Sequence, residues 1–147
     1  MINLANKPLT ILPLQTLLYF DWLYSAWYFA VATMIYIYKG SYLIYPYNTI
    51  APEYAGLCFF AVLQFFRIFV GSVANKSEGI SAVLWFLALS IPAILASIFY
   101  IALQTFVFNA DVVTNAILLF FQVTEAIFGF LMFIKFKKAP PRGKAPF

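Results

Sequence analysis

Apolar residues run along this chain in four long blocks, separated by short polar punctuation. The blocks cover about 14–38, 53–73, 81–103 and 112–134. Each reaches the ~20 residues that a helix needs to cross ~30 Å of hydrocarbon. Lys39-Gly40 and the run Tyr45-Pro46-Tyr47-Asn48 close the first block, Asn75-Lys76-Ser77-Glu78-Gly79 the second, and Asn109-Ala110-Asp111 the third. The last two connections are short, so their helices are expected to be antiparallel neighbours. Continuous apolar runs such as Ile117-Leu118-Leu119-Phe120-Phe121 do not alternate, which argues against a membrane β-barrel. The first block lacks a preceding basic run and a small-residue cleavage site, and it is too long for a signal peptide. The expected fold is all-α: one integral membrane domain over residues 1–147, a four-helix transmembrane bundle with a basic tail from 135 to 147.

Composition sharpens this picture. Of 147 residues, 65 % are apolar and 10 % charged, against the ~45–50 % and ~25 % of soluble proteins. There is no histidine and one cysteine, Cys58. Histidine-based catalysis, an internal disulfide and cysteine-cluster metal sites are therefore excluded. No cofactor and no metal is expected, and the net charge of +4 is too small to suggest nucleic-acid binding.

The charge is unevenly placed. With four spans both termini share one side, and that side holds Lys7, Lys76, Lys135, Lys137, Lys138, Arg142 and Lys144, while the other holds Lys39. The positive-inside rule makes the termini cytoplasmic. The tail could attract anionic lipid at ~1 kcal/mol per basic residue, although an ordinary positive-inside stop signal accounts for it as well. Tyrosines and tryptophans near the block ends suit interfacial belts.

Three ionisable residues fall inside the blocks: Asp21, Arg67 and Glu125. Each costs ~2.5–3.5 kcal/mol at mid-helix, so each should face protein, find a partner or line a pathway. Their positions lie ~9–14 Å in from the cytoplasmic side at ~1.5 Å per residue. They can therefore meet in one layer, as an Arg67–Glu125 pair supported by Asp21 and Gln64; an interfacial Asp21 is the alternative. Helical periodicity puts Gly56, Gln64, Arg67, Gly71 and Asn75 on one face of the second span. Asn115, Gln122, Glu125 and Gly129 share a face of the fourth, and Asp21, Ser25, Tyr28 and Ala32 a face of the first. The third offers Ser90, Ala93, Ala96 and Ser97, with a kink expected at Pro92. Small and polar stripes are how membrane helices pack. A structural layer is preferred over a proton or ion relay, because one layer is too short for a path and no second polar layer is visible in the outer half. The loop from Lys39 to Ala51, with Tyr45, Pro46 and Tyr47, and the tail lysines Lys135, Lys137 and Lys138 are the candidate partner or lipid contacts.

Four stretches resemble a known family, the small four-span transmembrane proteins 17, 80 and 216 of ciliated eukaryotes. They are Leu12 to Phe20; Tyr38-Lys39-Gly40 with Tyr45-Pro46; Arg67-Ile68-Phe69-Val70-Gly71 with Asn75; and Leu103 to Val107 followed by Asn115 to Phe121 and Glu125. The likeness covers roughly 12–134 and leans toward the 216 branch. Departures from the pattern are Asp21 for an expected Asn, Gln64 for an expected Glu, and Ala74 for a Gly. The loss of a Glu at position 64 leaves Glu125 or Asp21 as the expected counter-ion of Arg67. The resemblance implies a non-catalytic subunit of the ciliary transition-zone gate, acting beside tectonic and multi-span membrane partners in ciliogenesis and in controlling ciliary membrane content. A small transporter or channel subunit using the charged layer, and an accessory subunit of another large membrane complex such as a ciliary channel or respiratory assembly, are the alternatives. A membrane-embedded enzyme ranks below all three.

Overall fold

The computed structural model describes residues 11–46 and 48–139, and its residues form four helices. α1 spans Leu12–Tyr42, α2 Ile50–Ser77, α3 Ile80–Ala102 and α4 Asn109–Lys138. Pro13 opens α1 in its first turn, where a missing N–H is no loss. α2 ends on Glu78, in the left-handed region with φ 54°. One residue later, Gly79 is the N-cap of α3, which makes this connection a tight hairpin. α3 runs on as one helix through Pro92.

Each helix packs on two neighbours, α1 against α2 and α4, and α3 against the same pair. Inter-helix hydrogen bonds set the directions. The start of α1 meets the end of α2, because the Ile11 N–H donates to Asn75 Oδ1 at 2.8 Å. The end of α1 meets the start of α4 through Lys39 and Asp111. The bundle is thus antiparallel around the ring. One end, here called the terminal end, gathers the start of α1, the α2–α3 hairpin and the end of α4. The opposite end carries the 43–49 and 103–108 connections.

Helices α2, α3 and α4 are long and apolar enough to cross a membrane. α1, at 31 residues, is long enough, but its tyrosines, tryptophans, Asp21 and Lys39 dilute its apolarity. This differs from the expectation that four blocks qualify by apolarity alone. Its polar residues turn inward: Asp21, Ser25 and Lys39 are all fully buried among the other helices. Outward faces are apolar, with Trp22, Trp27, Phe59, Phe69, Trp85 and Ile91 each more than half exposed, as a lipid-facing surface requires.

Apolar packing falls into two clusters. One, toward the terminal end, joins Leu14, Leu18, Ile68, Val83, Phe86 and Met132. The other, toward the opposite end, joins Tyr28, Leu57, Phe60, Ala93, Tyr100 and Leu118. Polar tiers lie between and beyond them.

A buried polar layer across four helices

Arg67 sits at the centre of the layer with no exposure. Its Nη2 donates to Glu125 Oε2 at 2.7 Å and to Asp21 Oδ2 at 3.0 Å. Its Nε donates to Gln64 Oε1 at 3.3 Å, and its Nη1 reaches Ser90 Oγ at 3.5 Å. Gln64 Nε2 in turn donates to Asp21 Oδ2 at 2.9 Å and to Ser25 Oγ at 3.3 Å. Ser25 Oγ donates to Asp21 Oδ1 at 3.1 Å. Gln122 Nε2 donates to Gln64 Oε1 at 3.0 Å and Gln122 Oε1 accepts from Ser97 Oγ at 2.9 Å. Every helix therefore contributes: Asp21 and Ser25 from α1, Gln64 and Arg67 from α2, Ser90 and Ser97 from α3, Gln122 and Glu125 from α4.

The register explains the meeting. Gln64 and Arg67 are one turn apart on α2, as are Gln122 and Glu125 on α4, so each pair projects from one face. Asp21 is fully buried and paired, not interfacial. One guanidinium faces two carboxyls, and Glu125 Oε1 has no hydrogen-bond partner among the described residues. Asp21, Gln64, Arg67 and Glu125 all have zero exposure, so the layer is a closed cross-brace.

Beneath the layer, Phe86 of α3 slots between two glycines. A Cβ on Gly71 would stand 2.7 Å from its ring, and one on Gly129 would stand 2.8 Å from the other edge. The same ring lies 5.4 Å from the Arg67 guanidinium carbon, at cation–π range. Gly71 and Gly129 are thus the space that lets a phenylalanine reach the bundle axis. Nothing in the sequence singled out Phe86 among eighteen phenylalanines; its helical phase with Ser90, Ala93 and Ser97 was the available signal.

Asn75 clamps the terminal end. Besides accepting from the Ile11 N–H, its Nδ2 donates to Ile11 O at 3.1 Å and lies 3.4 Å from Gln15 Oε1. Asn115 binds α4 to α1, accepting from the Tyr28 hydroxyl at 2.8 Å through Oδ1.

The opposite end corrects three sequence expectations. Lys39 is not a loop residue: it lies in the last turns of α1 and is fully buried. Its Nζ donates to Asp111 Oδ2 at 2.6 Å and to Phe106 O at 2.7 Å. The Tyr36 and Phe108 rings flank it at 5.1 and 4.9 Å. Asp111 is not a loop breaker but part of the first turn of α4, where a carboxylate is favoured by the helix dipole. It also accepts the Phe108 N–H at 3.1 Å. A second polar tier therefore does exist in the outer half. It continues with the Tyr36 hydroxyl on Gln104 Oε1 at 3.1 Å and with Glu53, which accepts the Thr105 N–H at 2.8 Å and the Thr105 hydroxyl. Tyr100 donates its hydroxyl to Glu53 O at 2.9 Å, across the gap that Gly56 keeps open.

The candidate contact residues divide. Tyr45 is half-buried, with its ring 4.9 Å from that of Phe106 and its hydroxyl turned inward without a hydrogen-bond partner among the described residues. Burial, and then the Glu53 and Asp111 carboxylates, push its phenol up to about 12. Pro46 is exposed, Tyr47 lies outside the described residues, and Lys135, Lys137 and Lys138 are exposed on the last turns of α4. Lys7, Arg142 and Lys144 also fall outside the described residues.

Four antiparallel helices, lipid-facing outside and braced inside by tiers of paired polar groups, define a multi-pass integral membrane protein. The chain belongs to the Transmemb_17 family, described as "predicted membrane protein", whose model matches residues 16–122. It is 32 % identical over 127 residues to transmembrane protein 216 of Danio rerio, covering 86 % of this chain and 79 % of that one. It is 29 % identical over 133 residues to transmembrane protein 216 of Homo sapiens, covering 90 % and 92 % of the two chains. The Mus musculus protein of that name is 30 % identical over 136 residues, covering 89 % and 93 %. No solved structure matches the chain.

Proposed function

We propose that this protein is a non-catalytic scaffold subunit of the gate complex at the ciliary transition zone. In this reading it supports ciliogenesis and helps to set which membrane proteins enter the cilium, with tectonic and other multi-span proteins as partners and both termini cytoplasmic. Membership of the family of transmembrane protein 216 carries the reading. The asymmetric placement of Lys and Arg supports the orientation. The interior supports a scaffold more than a conduit: Arg67 is satisfied within the bundle by Asp21, Gln64 and Glu125, which rigidifies four helices against each other. What remains for partners is the outer surface, with its exposed aromatic side chains, and the short connections.

The test is imaging of an endogenously tagged copy in ciliated cells beside a basal-body marker, followed by pull-down. A ring just distal to the basal body, with tectonic proteins co-purifying, is the expected result. Signal in mitochondria or spread through the plasma membrane overturns the assignment.

A further inference from the structure

We infer that the groove between α2 and α3 at the terminal end is a binding site for an anionic phospholipid, one acyl chain lying in the groove and the headgroup phosphate at Lys76. The groove has a volume of about 580 Å³. Its deeper walls are Phe66, Phe69 and Val73 from α2 and Trp85 and Leu89 from α3, and its mouth is Gly79, Ser81 and Ala82.

Three observations select this occupant. The first is chemical: the walls are bulky and apolar, whereas helix–helix contacts in membranes use small residues for close approach. A flexible acyl chain fits between such side chains where a second helix does not. The second is charge. Lys76 follows Phe69 and Val73 at seven and three residues along α2, which places it on the groove's own stripe, and it is exposed in the last turn of that helix. The third is the mouth itself. The first turn of α3 opens there under Gly79, which brings no side-chain cap, so the positive end of the helix adds to the field of Lys76. Ser81 carries a hydroxyl to the same place, and the Trp85 indole, 65 % exposed, has the amphipathic character of interfacial anchors. Glu78 stands in the same hairpin but has an interaction of its own, whereas Lys76 is exposed. This site is separate from the tail lysines and from the buried layer.

The experiment uses the full chain in nanodiscs. The chain has three tryptophans, and Trp22 and Trp27 are about half exposed on α1, so Trp22→Phe with Trp27→Phe leaves Trp85 as the only indole. A minor fraction of phosphatidylserine with brominated acyl chains is added to phosphatidylcholine discs, and brominated phosphatidylcholine serves as the comparison. The expected result is quenching of Trp85 by the anionic lipid at about fivefold lower mole fraction, the ratio that ~1 kcal/mol for one basic residue at a membrane surface represents. Lys76→Gln abolishes the preference, while Lys135→Gln, at the same end on α4, leaves it in place; circular dichroism verifies that both variants are folded. Equal quenching by the two lipids overturns the proposal. So does an equal loss in Lys135→Gln, which would mean general surface attraction. Shielding of Trp85 from both lipids also overturns it, because the groove would then be covered by protein, either a second copy or a partner.

Discussion

A side chain at Gly71 or Gly129 has nowhere to go. Phe86 fills the space between them, with ring atoms at 2.7 and 2.8 Å from the two hypothetical Cβ positions. Both neighbours are the rigid ring and not the far end of a flexible chain, so the ring has to move, and with it the face that Arg67 rests on. Gly71→Val and Gly129→Val are each expected to destabilise by ~1–3 kcal/mol, the usual cost of overpacking. The two costs should not add, because both act through one ring. Unfolding in detergent, followed by circular dichroism against a denaturing surfactant, checks both statements; additive losses would separate the glycines from Phe86. Tyr45 shows the same dependence on neighbours. Its phenol titrates near 12 because it is half-buried beside Glu53 and Asp111, while a tyrosine in the unfolded chain titrates near 10. The neutral phenol is thus the favoured form in the folded protein. Its contribution is complete below pH 10 and is lost as pH rises toward 12. Removing it by Tyr45→Phe should make stability fall less steeply across that window, measured against an otherwise identical chain.

Between elements, the ties were unequally legible. Arg67, Asp21 and Glu125 stand out because a charge inside an apolar run must find a partner, and counting residues from the span ends puts them at one depth. Lys39 does not stand out. A lysine before a glycine after an aromatic stretch reads as the start of a loop, and nothing local shows that Asp111, 72 residues on, will meet it. Hydropathy also loses the last turns of α1 and the first turn of α4, since Lys39 and Asp111 there are buried only through their tertiary pairing. Ser90 and Ser97 were legible as small residues for packing but not as hydroxyls in a network. The Lys39–Asp111 tie joins the end of α1 to the start of α4 and should behave as a buried pair. Lys39→Met leaves Asp111, which is 5 % exposed, without its counter-charge, at ~3–5 kcal/mol. Adding Asp111→Asn should recover much of that loss. A double-mutant cycle on unfolding free energy reads the coupling, and two independent losses would show that the lysine acts through Phe106 and its aromatic cage instead.

At the scale of the molecule, the layer around Arg67 is the one place among the described residues where all four helices share a single hydrogen-bonded network. In it one cation faces two carboxyls, both fully buried. The variants should therefore rank by the charge they leave behind. Arg67→Leu strips the layer of its only cation and maroons Asp21 and Glu125 together, so it should be the most damaging, by several kcal/mol. Glu125→Gln keeps the Arg67–Asp21 pair at 3.0 Å and removes the surplus carboxyl, so it should be much milder. Asp21→Asn should likewise be mild, because the Arg67–Glu125 contact at 2.7 Å survives. Combining Arg67→Leu with Glu125→Gln and Asp21→Asn removes every charge and should recover part of the loss. The recovery should stop short of wild type, because Gln64 and Ser90 still lose their contacts with Arg67. Steady-state levels in cells and thermal stability of the purified chain should follow this order. Equal levels for Arg67→Leu and wild type would mean that the layer carries no assembly energy. Equal harm from Glu125→Gln and Arg67→Leu would mean that the carboxylate itself, rather than charge balance, is what the bundle needs.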